Sequence, residues 1–387
     1  MKTRFLTLIL LFVITIPMSI YSQGKFTLKS EEVSDATSRL AAISQSYTMA
    51  IRQKPEALKG VPEKISDKTL YYSLLINGKN VFLAIDFGET NPPLYADTNA
   101  DGNLAYEKPI TGATKDNRTR YVPVKIATIS IGIDVPQGGY IFYSPAEIRR
   151  GDVTFGDETF SLMIADKNLN GRYNDFSTGD PGASYDSVGI DLNRNGTLDA
   201  ALESGEVSSL AEAISVKDNY YSIKPSANGN TLEIKTLKPK MGMLDVQNPD
   251  MEISTQSKWG AQTFSGSNGK WELPEGKYIT RLIRLKKKDD AGREWVLKAY
   301  SFYAGKLASF DIKSGKTTII SAGTPLHIVT SAKMTNDTIE VSASFLGRAG
   351  EQYSSGPTVD GQRPEPPKFI IVDKSGKELA SGPFQYG

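Results

Sequence analysis

Three short segments carry the residues most able to do chemistry: "DTNADGNL" from Asp97 to Leu104, "DKNLNGRY" from Asp166 to Tyr173, and "DLNRNGTL" from Asp191 to Leu198. All three read D-x-N-x-[DN]-G-x-[LY], with an oxygen-bearing side chain on every second residue and then a glycine. That spacing suits calcium, a hard cation that takes about 6–8 oxygens at about 2.3–2.6 Å. A loop meets the demand with side-chain oxygens at positions 1, 3 and 5, a glycine bend at position 6 and a backbone carbonyl at position 7. In the first loop the donors are Asp97, Asn99, Asp101 and Asn103. The second offers Asp166, Asn168, Asn170 and Arg172, and the third Asp191, Asn193, Asn195 and Thr197. An apolar residue at position 8 (Leu104, Tyr173 or Leu198) would pin each loop to a core.

Over these positions the loops resemble those of EF-hands, dockerins and thrombospondin-type calcium repeats. They depart from the EF-hand at position 12, where that family places a bidentate Glu and dockerins an Asp. Here the residues are Lys108, Ser177 and Leu202. Each cage must therefore close with another acid: Glu107 for the first, Asp175 for the second, Asp199 or Glu203 for the third. Asp180, Asp186 and Glu206 are further candidates near the second and third loops, which are close enough in sequence to share ligands. No helix–loop–helix switch follows. Asp, Asn and Gly are also the commonest turn formers, so any one copy could be a plain Asx turn; three copies in one phase favour metal. With Asn replacing several carboxylates, affinity falls in the extracellular range of about 0.1–1 mM, and the ion is structural.

Composition removes other chemistry. The 387 residues include no Cys and a single His, His327, which excludes thiol catalysis, zinc–thiolate sites and His-rich metal centres. His327 lies in a strand-like run and reads as an edge-strand or satisfied histidine. The charge is balanced, 45 Lys and Arg against 44 Asp and Glu, and gives no basic face for nucleic acid. No P-loop, dinucleotide fingerprint or G-x-S-x-G elbow occurs. "RGD" at Arg150–Asp152 reads as a charged turn.

The elements that must position the loops follow from pattern. Lys2 and Arg4 precede an apolar run from Phe5 to about Ile16, then Pro17 and small residues, as in a secretory signal peptide cut near Ser22 or Gln23. An uncleaved anchor is the weaker reading, because a span needs roughly 20 apolar residues. In residues 23–65 one amphipathic helix is expected: Ser30 caps it, Glu31 and Glu32 suit its positive end, and Leu40, Ile43, Tyr47 and Ile51 recur at helical spacing. Residues 66–245 read as one mainly β domain carrying the three loops at strand ends, with Asn77-Gly78 and Asn228-Gly229 as hairpin turns and a short helical turn near Leu210. Residues 246–387 read as a second β-sandwich, from short strands and Gly- or Asp-containing turns. Its "LPEGKY", Leu273–Tyr278, resembles the strand entry of immunoglobulin-like modules on bacterial surface proteins. The expected fold is thus mainly β: two β-sandwich-like domains and one N-terminal helix.

The layout resembles uncharacterised exported bacterial proteins that join a loop-bearing β domain to an immunoglobulin-like module; the resemblance implies architecture and Ca2+, and no reaction. Two functions fit. The first is a non-enzymatic, calcium-stabilised binding or structural protein of the periplasm or cell surface, its partner a glycan or another surface protein. The second is a secreted hydrolase using carboxylates beside a structural calcium ion. Acids converging on a pocket and not committed to the loops would favour the second, since such pairs leave no sequence signature.

Overall fold

The computed structural model describes residues 23–33, 40, 44–89, 91–110, 113–114, 119–136, 139–177, 185–199, 201, 204–336 and 338–385. The expected signal peptide, Asp180 and Glu203 lie outside them. The architecture is mainly β, with several antiparallel sheets and no helix of seven or more residues among the described residues.

The buried side chains form three principal clusters, each between or against sheets. The first joins the three strands Thr69–Ile76, Lys79–Asp86 and Leu94–Ala96 to a five-stranded sheet that includes Thr119–Ile126, Ile129–Pro136 and Tyr140–Pro145. Tyr72, Leu74, Leu83, Ile85, Val122, Ile131, Ile133 and Ile141 fill it. The Asn77-Gly78 turn closes its leading hairpin with both residues at positive φ, 48° and 71°, the conformation that makes Asn-Gly a hairpin signal. The second cluster lies between a four-stranded sheet, ordered Gln23–Thr27, Thr231–Leu237, Asn219–Pro225, Ala213–Val216, and a five-stranded one, ordered Val207–Ser209, Ser187–Ile190, Glu158–Ala165, Glu147–Phe155, Lys29–Glu32. Phe155, Phe160, Leu162, Ile164, Tyr221, Ile223 and Leu232 are among its buried members. Residues 66–245 thus supply most of two of the principal clusters. The third cluster runs from Leu244 to Tyr353 and gathers Ile253, Trp271, Tyr278, Ile283 and Phe310. Met241–Asp245 belongs with it, paired to Lys270–Pro274 and Thr317–Ile319.

Among the described residues, strands stand at both ends of the expected N-terminal helix, and Ile43 lies outside those residues. Lys29–Glu32 is an edge strand on Glu147–Arg150, and Ser46–Met49 pairs with Tyr140–Tyr143. Leu40 is buried and its carbonyl accepts from the Ser44 N–H and Oγ. Tyr47 and Ile51, read as a core face, are 67% and 39% exposed. Sheet edges offer rows of unpaired backbone groups, and those bonds outweigh a modest helical preference. The turn expected near Leu210 is likewise two strands, Val207–Ser209 and Ala213–Val216. Arg150–Asp152 lies inside the strand Glu147–Phe155 rather than at a turn, with Arg150 held by Glu31 and the Ser161 hydroxyl. His327 opens the strand His327–Thr335 and is exposed.

Candidate metal centres

Each loop begins where a strand ends: after Leu94–Ala96, after Glu158–Ala165 and after Ser187–Ile190. From there the three backbones take one course. Position 4 is left-handed in all of them, Ala100 at φ 55°, Leu169 at 55° and Arg194 at 60°. Gly102, Gly171 and Gly196 at position 6 follow at 77°, 79° and 83°, a region only glycine enters without cost. Position 8 is buried each time.

A ladder of side-chain acceptors holds this path. One oxygen of the first aspartate accepts from the N–H of position 5, at 3.0 Å for Asp97, 3.1 Å for Asp166 and 3.1 Å for Asp191. Its other oxygen accepts from the glycine N–H at 3.0, 2.7 and 2.9 Å. The Asn oxygen at position 3 accepts from the same position-5 N–H. The position-5 side chain accepts from position 7, where Asn103, Arg172 and Thr197 stand. Alternating oxygens are therefore turned into the loop, and each keeps lone pairs beyond those the backbone uses.

The closing acids differ. Glu107 reaches back to loop one, accepting from the Thr98 N–H and hydroxyl at 2.9–3.0 Å. In loop two, Asp175 Oδ2 accepts from the side-chain amides of Asn168 and Asn170 at 2.9 and 2.6 Å. Asp175 N–H in turn donates to Asp186 at 2.9 Å. In loop three the closing acid is Glu206, only 3% exposed, which accepts from Asn193 N–H at 3.2 Å and Asp199 N–H at 2.8 Å. Asp199 turns instead to its own chain, accepting from Ala201 N–H. Loops two and three share no acid among the described residues: Asp186 precedes the strand Ser187–Ile190 and Asp191 follows it, so the loops sit at opposite ends of that strand.

Loop two is electrostatically unfinished. Burial pushes the Asp166 carboxyl up to about 6, against the pull of its backbone N–H donors, and the Asp175 charge adds to the rise. Burial pushes Asp186 up to about 8, with the charges of Asp166 and Asp175 contributing. Asp186 Oδ1 is shielded from solvent and has no hydrogen-bond partner. A buried carboxylate in that state calls for a cation or a proton. Among the described residues no group of three or more His, Asp or Glu side chains forms a metal cage by itself, so an ion here would draw on the Asn and backbone oxygens as well.

No family model, curated protein or solved structure matches this chain. Sequence reasoning gave Glu206 and Asp186 only as further candidates, because a closing acid that arrives from the next strand has no fixed spacing. It missed a separate cleft altogether, lined by Asp218, Tyr220, Gln262 and Glu272; these residues come from two cores, and nothing in their spacing joins them.

Proposed function

We propose that this chain is an exported, non-enzymatic, calcium-binding β protein of the bacterial periplasm or surface, serving as a binding or structural module for a glycan or a surface protein. Asp97, Asn99, Asp101 and Glu107 would hold one ion, Asp166, Asn168, Asn170, Asp175 and Asp186 a second, and Asp191, Asn193, Asn195 and Glu206 a third. The position-7 carbonyls of Asn103, Arg172 and Thr197 would complete the sets. The observation that carries this reading is the threefold recurrence of one backbone path with one inward ladder of oxygens. The partnerless Asp186 oxygen adds a specific demand for positive charge in loop two. Bound there, calcium would neutralise carboxylates that otherwise repel one another and would lock strand ends in place.

Thermal unfolding of residues 23–387 in EGTA, in calcium and in magnesium tests it. With about 2 mM calcium and an affinity of about 0.1 mM, mass action gives roughly 1.8 kcal/mol of stabilisation per site. A calcium-specific rise that shrinks in Asp191→Ala is the expected result; identical melts in all three buffers would reduce the loops to Asx turns. The hydrolase reading draws on Asp218 and Glu272, which line one cleft without serving a loop. Release of new reducing ends from a polysaccharide, lost in Glu272→Gln, would favour it.

A further inference from the structure

Between the second and third cores lies a cleft of about 540 Å³, within the range of about 300–1,000 Å³ typical of ligand sites. Its floor is fixed. Ala213 N–H donates to Lys258 carbonyl at 3.3 Å, and the Tyr220 ring meets Trp259 edge-on at 5.8 Å. Gly260, at φ 83°, lets its backbone approach Ala213 and Ile214, where a Cβ would already sit 3.3 Å from the Ala213 oxygen. The two cores therefore present opposing walls of one rigid groove.

The lining is polar but not basic in effect. Ser204, Ser215, Thr263 and Ser265 add hydroxyls to the lining, those of Ser204 and Thr263 already bonded to the Asp199 and Ala201 carbonyls and to the Ser254 hydroxyl. Gln262 Nε2 donates to the Tyr220 hydroxyl at 3.3 Å, while Gln262 Oε1 has no partner, so the floor's hydrogen bonding is incomplete. Two lysines line the cleft, yet Lys217 is held by Glu158 at 2.6 Å and Lys270 by Asp245 at 3.0 Å. The cleft acids, Asp218 and Glu272, bear on the Tyr220 hydroxyl from opposite cores, and each adds to the rise in its pKa that burial begins. The apolar part of the wall combines Leu192, Ala261 and Leu273 with the edges of two largely buried rings, Phe264 and Trp271, whose centroids are 6.0 Å apart.

We propose that this cleft binds a neutral saccharide chain. Carboxylates that only accept, hydroxyls that do both and an amide match a ligand rich in hydroxyls. The paired lysines and the two remaining acids disfavour an anionic one. One wall belongs to the third loop: Leu192 is its second residue, and Ser204 and Gly205 lead into its closing acid Glu206. The coupling between loop and cleft rests on the calcium reading; the saccharide site itself does not.

The test is titration of the full mature chain, in calcium and in EGTA, with pentamers of cellulose, xylan, laminarin, mannan and chitin, and with pentagalacturonate as the anionic counterpart, read by tryptophan fluorescence and calorimetry. Binding of at least one neutral pentamer is expected, weaker for the uronate, and about tenfold weaker in Glu272→Gln and Asp218→Asn, the effect of about 1.4 kcal/mol. Unchanged melting of those variants, both at exposed positions, checks that they fold. EGTA should weaken binding, and saccharide should by linkage tighten calcium. No binding by any neutral pentamer, with the calcium-induced melting shift intact, overturns the cleft and spares the loops. Equal binding in both buffers, with no melting shift, overturns the calcium reading and spares the cleft. Preference for the uronate, or undiminished binding in both variants, overturns the assignment of ligand and residues.

Discussion

Loops two and three share every hydrogen bond of the ladder and differ in almost everything around it. Loop three stands in solvent. Asn193 through Thr197 are exposed, and Leu198 alone anchors its far end. Loop two is a joint. Leu169 is buried in the first core, its carbonyl takes the Asn77 N–H at 2.8 Å, and Tyr173, four residues on, is buried in the second. The Asn228-Gly229 hairpin closes over Tyr173, so tightly that a Cβ on Gly229 would meet the ring at 2.7 Å. The same eight-residue pattern thus makes a surface clip in one place and a keystone in another. The acid supply differs as well. Loop three has buried Asp191 and Glu206, each engaged by backbone donors, whereas loop two gathers Asp166, Asp175 and Asp186 with one oxygen left over.

The sharpest way to break this contrast is pH without metal. Asp166 and Asp186 titrate near 6 and 8 in the folded chain, above the ordinary value of 3.8. Between those limits the folded state holds protons that the unfolded state has released. Stability of the calcium-free protein should therefore be highest near pH 4 and fall as pH rises, through Asp166 up to about pH 6 and through Asp186 up to about pH 8, by up to about 1.4 kcal/mol per pH unit for each carboxylate within its window. Calcium should flatten the slope by holding both groups ionised, and Asp186→Asn should flatten it in EGTA. Urea melts at pH 5 and pH 8 measure it; an undiminished slope in Asp186→Asn would locate the effect elsewhere.

Next in size is Leu169→Ala. Removing a buried leucine from a packed core costs about 2–5 kcal/mol, and calcium should recover little of the loss, because the missing contact is with the first core rather than with the ion. Glu206→Ala follows. It strands two backbone N–H groups on loop three, a cost of about 1–3 kcal/mol, and should abolish that loop's calcium response while leaving the pH slope of loop two intact. Denaturant midpoints with and without calcium separate the two variants: the first loses the same stability in both buffers, while the second loses more in calcium than in EGTA.

Much of this was legible in the residues. Asn77-Gly78 marked its hairpin because the type of turn demands positive φ twice, and D-x-N-x-[DN]-G marked the loops because the acceptors that build them are local. Lys29–Glu32 and Ser46–Met49 were misread as helix because their bonding partners, near residues 147 and 140, are distant in sequence. Glu206, Asp186 and the cleft pair Asp218 and Glu272 were obscure for the same reason. Local rules write turns and loops; the far side of a cage or a groove is written by topology.

The smallest effect in the comparison is also the one that most cleanly separates a clip from a keystone. Arg194 occupies the same left-handed position in loop three that Leu169 occupies in loop two. It is exposed, bonded to Glu158 and laid over the Phe160 ring with 4.6 Å to the centroid. Lys217 already serves both partners, holding Glu158 at 2.6 Å and standing 5.8 Å from the same ring. Exposed pairs of this kind contribute little, and alanine at position 4 is already tolerated at the same φ in loop one as Ala100. Arg194→Ala should leave the urea midpoint and the calcium response unchanged within error. A loss comparable to that of Leu169→Ala would mean that loop three, too, is held from position 4, and the distinction between the loops would lie in their acids alone.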